Sequence, residues 1–240
     1  MIDLHSHILP ALDDGAPDDA TALEMCRMAV DDGIEIIVAT PHYLNGVGVS
    51  SPDVIPPAVA RLQSLLDSAS IPIRILHAME MPLLDDLPFL YRSGLWPAYD
   101  PARRWILFEM PDLPFRAIDI LTRTVSMLHL LGATPILAHP ERLECLDGLE
   151  AARRVHRLGA RFQITASALL ADDLPECRRA RSWLDDGLVA CIATDAHSTR
   201  HRPPLLSPAR RWIASHYGDP VAEALTSSNP AAILRGDPLP

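Results

Sequence analysis

MIDLHSHILPALDDGA, residues 1–16, sets a short apolar run beside a His-x-His pair and follows it with an Asp-Asp-Gly turn. A short apolar run bounded by turn residues reads as a buried strand. Side chains two apart on a strand share a face, so His5 and His7 can reach one metal ion. Taken alone, such a pair is also common without any metal. What gives it weight is that other apolar runs along the chain end in the same way.

Further runs predict strands at residues 35–40, 73–79, 105–108, 135–138, 161–164 and 189–194, in addition to residues 2–4. The second leads to His42, the third to Glu80 and the fourth to Glu109. The fifth leads to His139, with Glu141 and Arg142 just beyond, and the seventh to Asp195 and His197. Only the sixth delivers hydroxyls, Thr165 and Ser167, in place of a metal-ligand side chain. Asp14, in the first turn, completes the set.

The segments between these runs have helical spacing. Asp18 and Asp19 are start signals, with Gly33 just past that helix. Residues 115–131 carry Ile118, Leu121, Val125 and Leu128 on one stripe and stop at Gly132. Helices over 150–158 and 174–186 likewise exit through Gly159 and Gly187. The proline-rich patches at 52–57 and 203–208 read as loops, and His77, inside the third strand, reads as structural.

Seven strands separated by helices imply a parallel sheet of βα units. An open sheet gathers its sites at one switch point, whereas a closed barrel builds them from the carboxyl ends of several strands. Ligand-type side chains at six of seven strand ends therefore favour an irregular α/β barrel, a single domain over residues 1–240.

Composition narrows the chemistry. The chain has no lysine among its 21 basic residues, which excludes Schiff-base catalysis, a phosphate-loop lysine and a carboxylated lysine between metals. Its four cysteines show no C-x-x-C spacing and none is followed by an arginine six residues on, so a cysteine-dependent phosphatase is excluded. A net charge of −10 disfavours nucleic acid as a partner. No run of ~20 apolar residues and no secretory leader is visible, so no membrane insertion and a cytoplasmic location are expected.

Each candidate alone has an ordinary reading as a turn residue or a solvated strand end. Together they are nine: His5, His7, Asp14, His42, Glu80, Glu109, His139, Asp195 and His197. Mixed imidazoles and carboxylates suit manganese, iron(II) or zinc, and nine donors are about right for two or three ions. Such a cluster can bind a phosphoryl group and activate water, and Arg142 and Arg202 stand just past ligand positions with the geometry to hold phosphate. Metal-dependent cleavage of a phosphate ester is the expected reaction.

With those residues in place, the chain resembles the PHP (polymerase and histidinol phosphatase) superfamily. Its closest likeness is to the bacterial CpsB/YwqE-type tyrosine-protein phosphatases encoded with capsular or exopolysaccharide genes. The likeness runs nearly end to end: DLHSH at 3–7, ATPHY at 39–43, LFEMP at 107–111, LAHPER at 137–142, QITASAL at 163–169, ATDAHS at 193–198, RPP at 202–204 and NPAAIL at 229–234.

The resemblance implies a distorted (β/α)7 TIM-like barrel with a trinuclear site, manganese first, with iron or zinc as alternatives. It assigns His5, His7, Glu80 and Asp195 to one ion, and Glu80, Glu109 and His139 to a second. Asp14, His42 and His197 would hold the third. Arg142 and Arg202 match the family's phosphate-contacting arginines. The implied reaction is in-line attack by a metal-bridging hydroxide on phosphotyrosine, on a protein substrate such as the tail of a bacterial tyrosine kinase. Two departures, Thr165 in place of asparagine and Ala78 in place of glycine, bear on substrate fit more than on metal binding. A histidinol-phosphate or other small-molecule phosphatase, and a non-catalytic metal-binding regulator of a polysaccharide kinase, are the competing readings.

Overall fold

Every strand that the apolar runs predict is present in the structure, a computed structural model that describes residues 1–43, 48, 51–84, 86–111, 117–172 and 174–239. The chain runs β1 (Ile2–Ser6), α1 (Asp19–Asp31), β2 (Ile36–Ala39), α2 (Ile55–Ser68), β3 (Arg74–His77), β4 (Glu80–Pro82) and α3 (Leu87–Ser93). It continues through β5 (Trp105–Glu109), α4 (Ala117–Leu130), β6 (Thr134–Ala138), α5 (Leu149–Arg157), β7 (Arg161–Thr165), α6 (Pro175–Asp185) and β8 (Val189–Ala193). Three helices close it: α7 (Ser207–Tyr217), α8 (Asp219–Glu223) and α9 (Asn229–Arg235). The expected start of the fourth helix at residue 115 lies outside the described residues.

The pairing is parallel throughout, in a sheet of order β1-β2-β3 and a second of order β4-β5-β6-β7-β8. The strand expected over 73–79 ends at His77, and an unexpected strand, β4, begins at Glu80. Pro41 is the physical reason. Glu80 N–H donates to the Pro41 carbonyl at 3.2 Å, but Pro41 has no N–H to continue the ladder. The sheets meet through isolated parallel bridges, His42 to Glu80 and Ser6 to Ala196.

Alternate strand residues point to two different apolar environments. Ile37, Phe108, Leu137, Phe162 and Ile192 pack under the helices, where Met25, Leu62, Leu121, Val155 and Trp183 are also buried. Leu4 and Val38 from one sheet and Leu107, Ile136, Ala138 and Cys191 from the other form a second buried cluster. Tyr99 and Ile233 of α9 join it, and the Tyr99 hydroxyl donates to the Leu4 carbonyl at 2.9 Å. Strands apolar on both faces need helices outside and strand neighbours inside.

Capping follows the sequence closely at α1, where the Asp18 carboxylate accepts from Thr21 N–H at 2.8 Å. The proline patches do so in part: residues 203–206 are loop as expected, but Pro208 sits in the first turn of α7, and α2 opens directly on Ile55-Pro56-Pro57. Amide groups in a first helical turn have no intrahelical acceptor, so proline costs nothing there.

Candidate metal centre

All nine candidate ligands converge at the carboxyl ends of the strands. They form four overlapping groups: His7, Asp14, His42 and His197; His5, His7 and Glu80; His5, His139 and Asp195; and His42, Glu80 and Glu109. Among the described residues these groups contain no tenth member. Within each group the donor atoms lie within 4.8 Å of one another.

Glu80 stands at the centre. Its Oε1 lies 2.9 Å from His139 Nε2, and its Oε2 lies 3.2 Å from His5 Nε2, 3.3 Å from His7 Nε2 and 3.1 Å from His42 Nδ1. His5 and His7 meet Nε2 to Nε2 at 3.1 Å. They do so on a strand with one extra residue: Asp3 pairs with Ile37 but Ser6 pairs with Ala39. A bulge of this kind redirects side chains near a site. Asp14 Oδ1 lies 3.4 Å from His197 Nε2 and 3.5 Å from His42 Nε2. Glu109 Oε1 lies 3.1 Å from His42 Nδ1.

Asp195 joins this cluster to the two arginines. Its Oδ1 faces His5 and His7 at 3.5 Å each, while its Oδ2 accepts from Arg142 Nη2 at 2.5 Å and Arg202 Nη1 at 3.0 Å. Both arginine side chains are 38% exposed. Thr165, one of the two departures, touches Arg142: its Oγ1 accepts from Nη2 at 3.2 Å. Ala78 instead lies fully buried in the inner apolar cluster.

Supporting contacts orient the rings. His7 Nδ1 is 2.7 Å from Asp13 Oδ2, and His5 Nδ1 is 2.8 Å from Gln163 Oε1. His197 Nδ1 is 2.8 Å from its neighbour's carbonyl, Asp195 O. With each Nδ1 donating outward, each Nε2 turns a lone pair to the cluster, as a metal-ligating histidine requires. Asp13 also accepts from Gly15 N–H at 3.0 Å and His42 N–H at 3.2 Å, fixing the turn that carries Asp14. A Cβ on Gly15 would lie 2.0 Å from the His7 carbonyl oxygen, so only glycine lets the turn close on the strand.

Sequence reasoning did not assign Asp13 and Gln163. Asp13 had one available signal, its place beside Asp14 in the turn. Gln163 had another, a polar side chain in an otherwise apolar strand. His77, read as structural, does lie in β3 outside the cluster.

Backbone and charge both mark the site. His139 (φ 32°) and Asp195 (φ 51°) adopt the left-handed conformation that non-glycine residues avoid. Such strain is held in place by surrounding structure and concentrates at functional sites. Burial alone would raise the Glu80 carboxyl, but the surrounding His5, His139 and His42 rings hold it well below its usual range. Burial likewise opposes the charge on His42, yet Glu109 and Glu80 outweigh it and push the ring up to about 10. Burial and the neighbouring His7 drive His197 down to about 4, leaving it neutral.

Divalent cations fit this donor set. His42 Nδ1, Glu80 Oε2 and His197 Nε2 are buried with no hydrogen-bond partner. Buried polar atoms are rarely left so. His42 Nδ1 and Glu80 Oε2 face each other at 3.1 Å, His197 Nε2 faces Asp14 Oδ1 at 3.4 Å, and mixed nitrogen and oxygen donors of this kind suit manganese, iron or zinc.

The comparisons with known proteins agree with this chemistry. A profile described as capsular polysaccharide synthesis, CpsB/CapC, matches residues 1–235. The tyrosine-protein phosphatase YwqE of Bacillus subtilis (strain 168) is 32% identical over 243 residues, covering 98% of this chain and 92% of YwqE. The tyrosine-protein phosphatase CpsB of Streptococcus agalactiae serotype V is 29% identical, covering 98% of both chains. A chain from the crystal structures of YwqE from Bacillus subtilis and CpsB from Streptococcus pneumoniae, described as unique metal-dependent tyrosine phosphatases, superposes with a TM-score of 0.87. It is 29% identical and covers 100% of this chain and 96% of that one. The lactonase Lmo2620 from Listeria monocytogenes superposes with a TM-score of 0.59 at 13% identity, over 97% of this chain and 94% of its own, a likeness of fold alone.

Proposed function

This chain belongs to the capsular polysaccharide synthesis family CpsB/CapC, and from that premise we propose that it is a metal-dependent phosphatase acting on phosphotyrosine in proteins. The observation that carries the reading is the convergence of nine donor side chains with two half-open arginines on the shared carboxylate Asp195.

The donor set would hold two or three divalent ions, manganese first, with iron or zinc as alternatives. When bound they supply Lewis-acid stabilisation and a water activated near neutral pH. His5, His7, Glu80 and Asp195 would hold one ion, Glu80, Glu109 and His139 a second, and Asp14, His42 and His197 the third. A neutral imidazole has one lone pair, so His42 serves either Asp14 or Glu109. Its Nε2 lies 3.5 Å from Asp14 Oδ1 and its Nδ1 lies 3.1 Å from Glu109 Oε1. The phosphoryl oxygens are received by Arg142 and Arg202, whose forks also balance the charge that builds on them during in-line displacement. Asp195 and Thr165 hold the Arg142 guanidinium in position beforehand. The phenol of tyrosine, with a pKa near 10, leaves more readily than an alkyl alcohol, so a strong general acid is less needed.

The framework is a distorted (β/α)7 barrel forming one domain over residues 1–240. Support comes from the inner apolar cluster shared by both sheets and from the bridges at both sheet edges. The substrate is a phosphotyrosine protein of capsule or exopolysaccharide synthesis, a bacterial tyrosine kinase tail. The location is cytoplasmic; among the described residues no helix is long and apolar enough to cross a membrane.

The test is phosphate release from a phosphotyrosine peptide, beside histidinol phosphate and a phosphoserine peptide, after EDTA stripping and Mn²⁺ restoration. Manganese-dependent, tyrosine-selective release is expected. Preference for histidinol phosphate would replace the substrate, and bound metal without release from any of the three would leave a non-catalytic regulator.

A further inference from the structure

Beside Arg142 the surface dips into a cavity of about 220 Å³ lined by Ala168, Ala171 and Leu174 with the polar Glu141, Ser167 and Glu176, and with Arg142 and Thr165 shared with the metal centre. Its walls come from the turn after β7, from Ala171 and Leu174, and from Glu176 in the first turn of α6. Pockets that enclose whole small molecules run to roughly 300–1,000 Å³, and this open dip is smaller.

Its position is set by Arg142. The same Nη2 atom touches Asp195 Oδ2 at 2.5 Å on the cluster side and Thr165 Oγ1 at 3.2 Å, and Thr165 lines the cavity. A phosphoryl group held by Arg142 is therefore next to the cavity, with one guanidinium between them. The Thr165 end is rigid: its N–H donates to Glu141 Oε1 at 3.0 Å, and Arg179 Nε donates to the Glu141 carbonyl at 2.7 Å. The opposite wall offers apolar surface to solvent, since Leu174 is 50% exposed. Glu176 places a negative charge in the lining, which disfavours an acidic occupant.

The geometry points to this cavity as a specificity subsite that takes an apolar side chain of the substrate polypeptide next to the phosphotyrosine. The inference rests on the phosphatase reading above. It is continuous with that site through Arg142 and Thr165, and pockets of this kind are how an extended peptide's flanking residues are read.

The test is steady-state hydrolysis by the manganese-loaded protein of phosphotyrosine peptides that differ only in leucine or glycine at each position adjacent to the phosphotyrosine. An apolar side chain in a fitting pocket changes kcat/KM by roughly 10- to 200-fold. The expected result is a leucine-over-glycine ratio of at least about ten at one position, carried mainly by KM. Ala171→Leu, which fills the cavity, should collapse that ratio toward one. Leu174→Ser, which strips a wall at an exposed position, should lower it and decides the matter if Ala171→Leu fails to fold. A wild-type ratio near one at both positions, or a ratio unmoved in the variants, overturns the subsite. p-Nitrophenyl phosphate has no flanking residue. Its hydrolysis with a peptide ratio near one sinks the subsite alone, whereas hydrolysis of no aryl phosphate at all sinks the phosphatase reading and the subsite with it.

Discussion

Leu107 and Glu109 share one face of β5, yet the first closes an apolar cluster and the second opens a polar one. The same step occurs from Ala78 to Glu80. Below the step, the inner cluster is satisfied by its own neighbours. Above it, Glu80 and Asp195 are buried carboxylates among five histidines, and their charge needs protons, arginines or metal ions to balance it. One set of strands thus carries a region that holds the fold together and a region whose stability depends on what it binds. The two should respond to substitution independently, and they can be tested that way.

The largest separation is expected from Asp195→Ala. It removes a donor shared by two histidines and the anchor of both arginines, and kcat/KM should fall on the order of 10³-fold or more. Metal content measured per chain should fall with it, while the circular dichroism spectrum stays that of the folded protein. The complementary variant is Leu107→Ala in the inner cluster. Truncating a fully buried leucine costs about 2–5 kcal/mol, read as a lower urea midpoint, and the folded fraction should still bind its metal. If Leu107→Ala emptied the metal centre at temperatures where the protein stays folded, the two regions would not be independent.

Arg142→Ala sharpens the polar side. It should lower kcat/KM by about 10²-fold, the scale of one lost charge-stabilising donor, without loss of metal. Unchanged activity would remove Arg142 from the phosphate site. Smallest is the effect of pH on metal uptake. With the His42 ring held to about 10 in the metal-free protein, this ring stays protonated through neutrality, and an ion must displace that proton. A raised histidine pKa means the proton is bound below about 10 and lost above it, so each unit of acidification should weaken metal binding by roughly tenfold per displaced proton. Calorimetry in buffers of different ionisation enthalpy would count those protons; a count of zero contradicts the charge balance described above.

How much of this was legible in the sequence follows the same division. His5, His42, Glu80, His139 and Asp195 could be picked out because each ends an apolar run, and that local pattern survives folding. The parallel α/β arrangement followed from strand and helix lengths. The separation of β3 from β4 did not, because it depends on Pro41, just past the end of β2, having no N–H to donate. Residues 52–57 read as loop because proline is a breaker inside a helix, whereas here the prolines fall in a first turn. Asp13 and Gln163 went unassigned because their role is contact with a ring brought close only by the fold: Gln163 is 158 residues from His5. The join between the sheets, made by Ser6 with Ala196 and His42 with Glu80, is also tertiary and leaves no periodic trace.

The central claim is that the nine converging side chains hold a cluster of divalent ions. It is met most directly by anomalous X-ray diffraction from crystals of the EDTA-stripped protein soaked in Mn²⁺. Two or three manganese peaks within bonding distance of His5, His7, Asp14, His42, Glu80, Glu109, His139, Asp195 and His197 are predicted. A protein that crystallises with this cluster intact and shows no peak there, or binds manganese only elsewhere, would contradict the account.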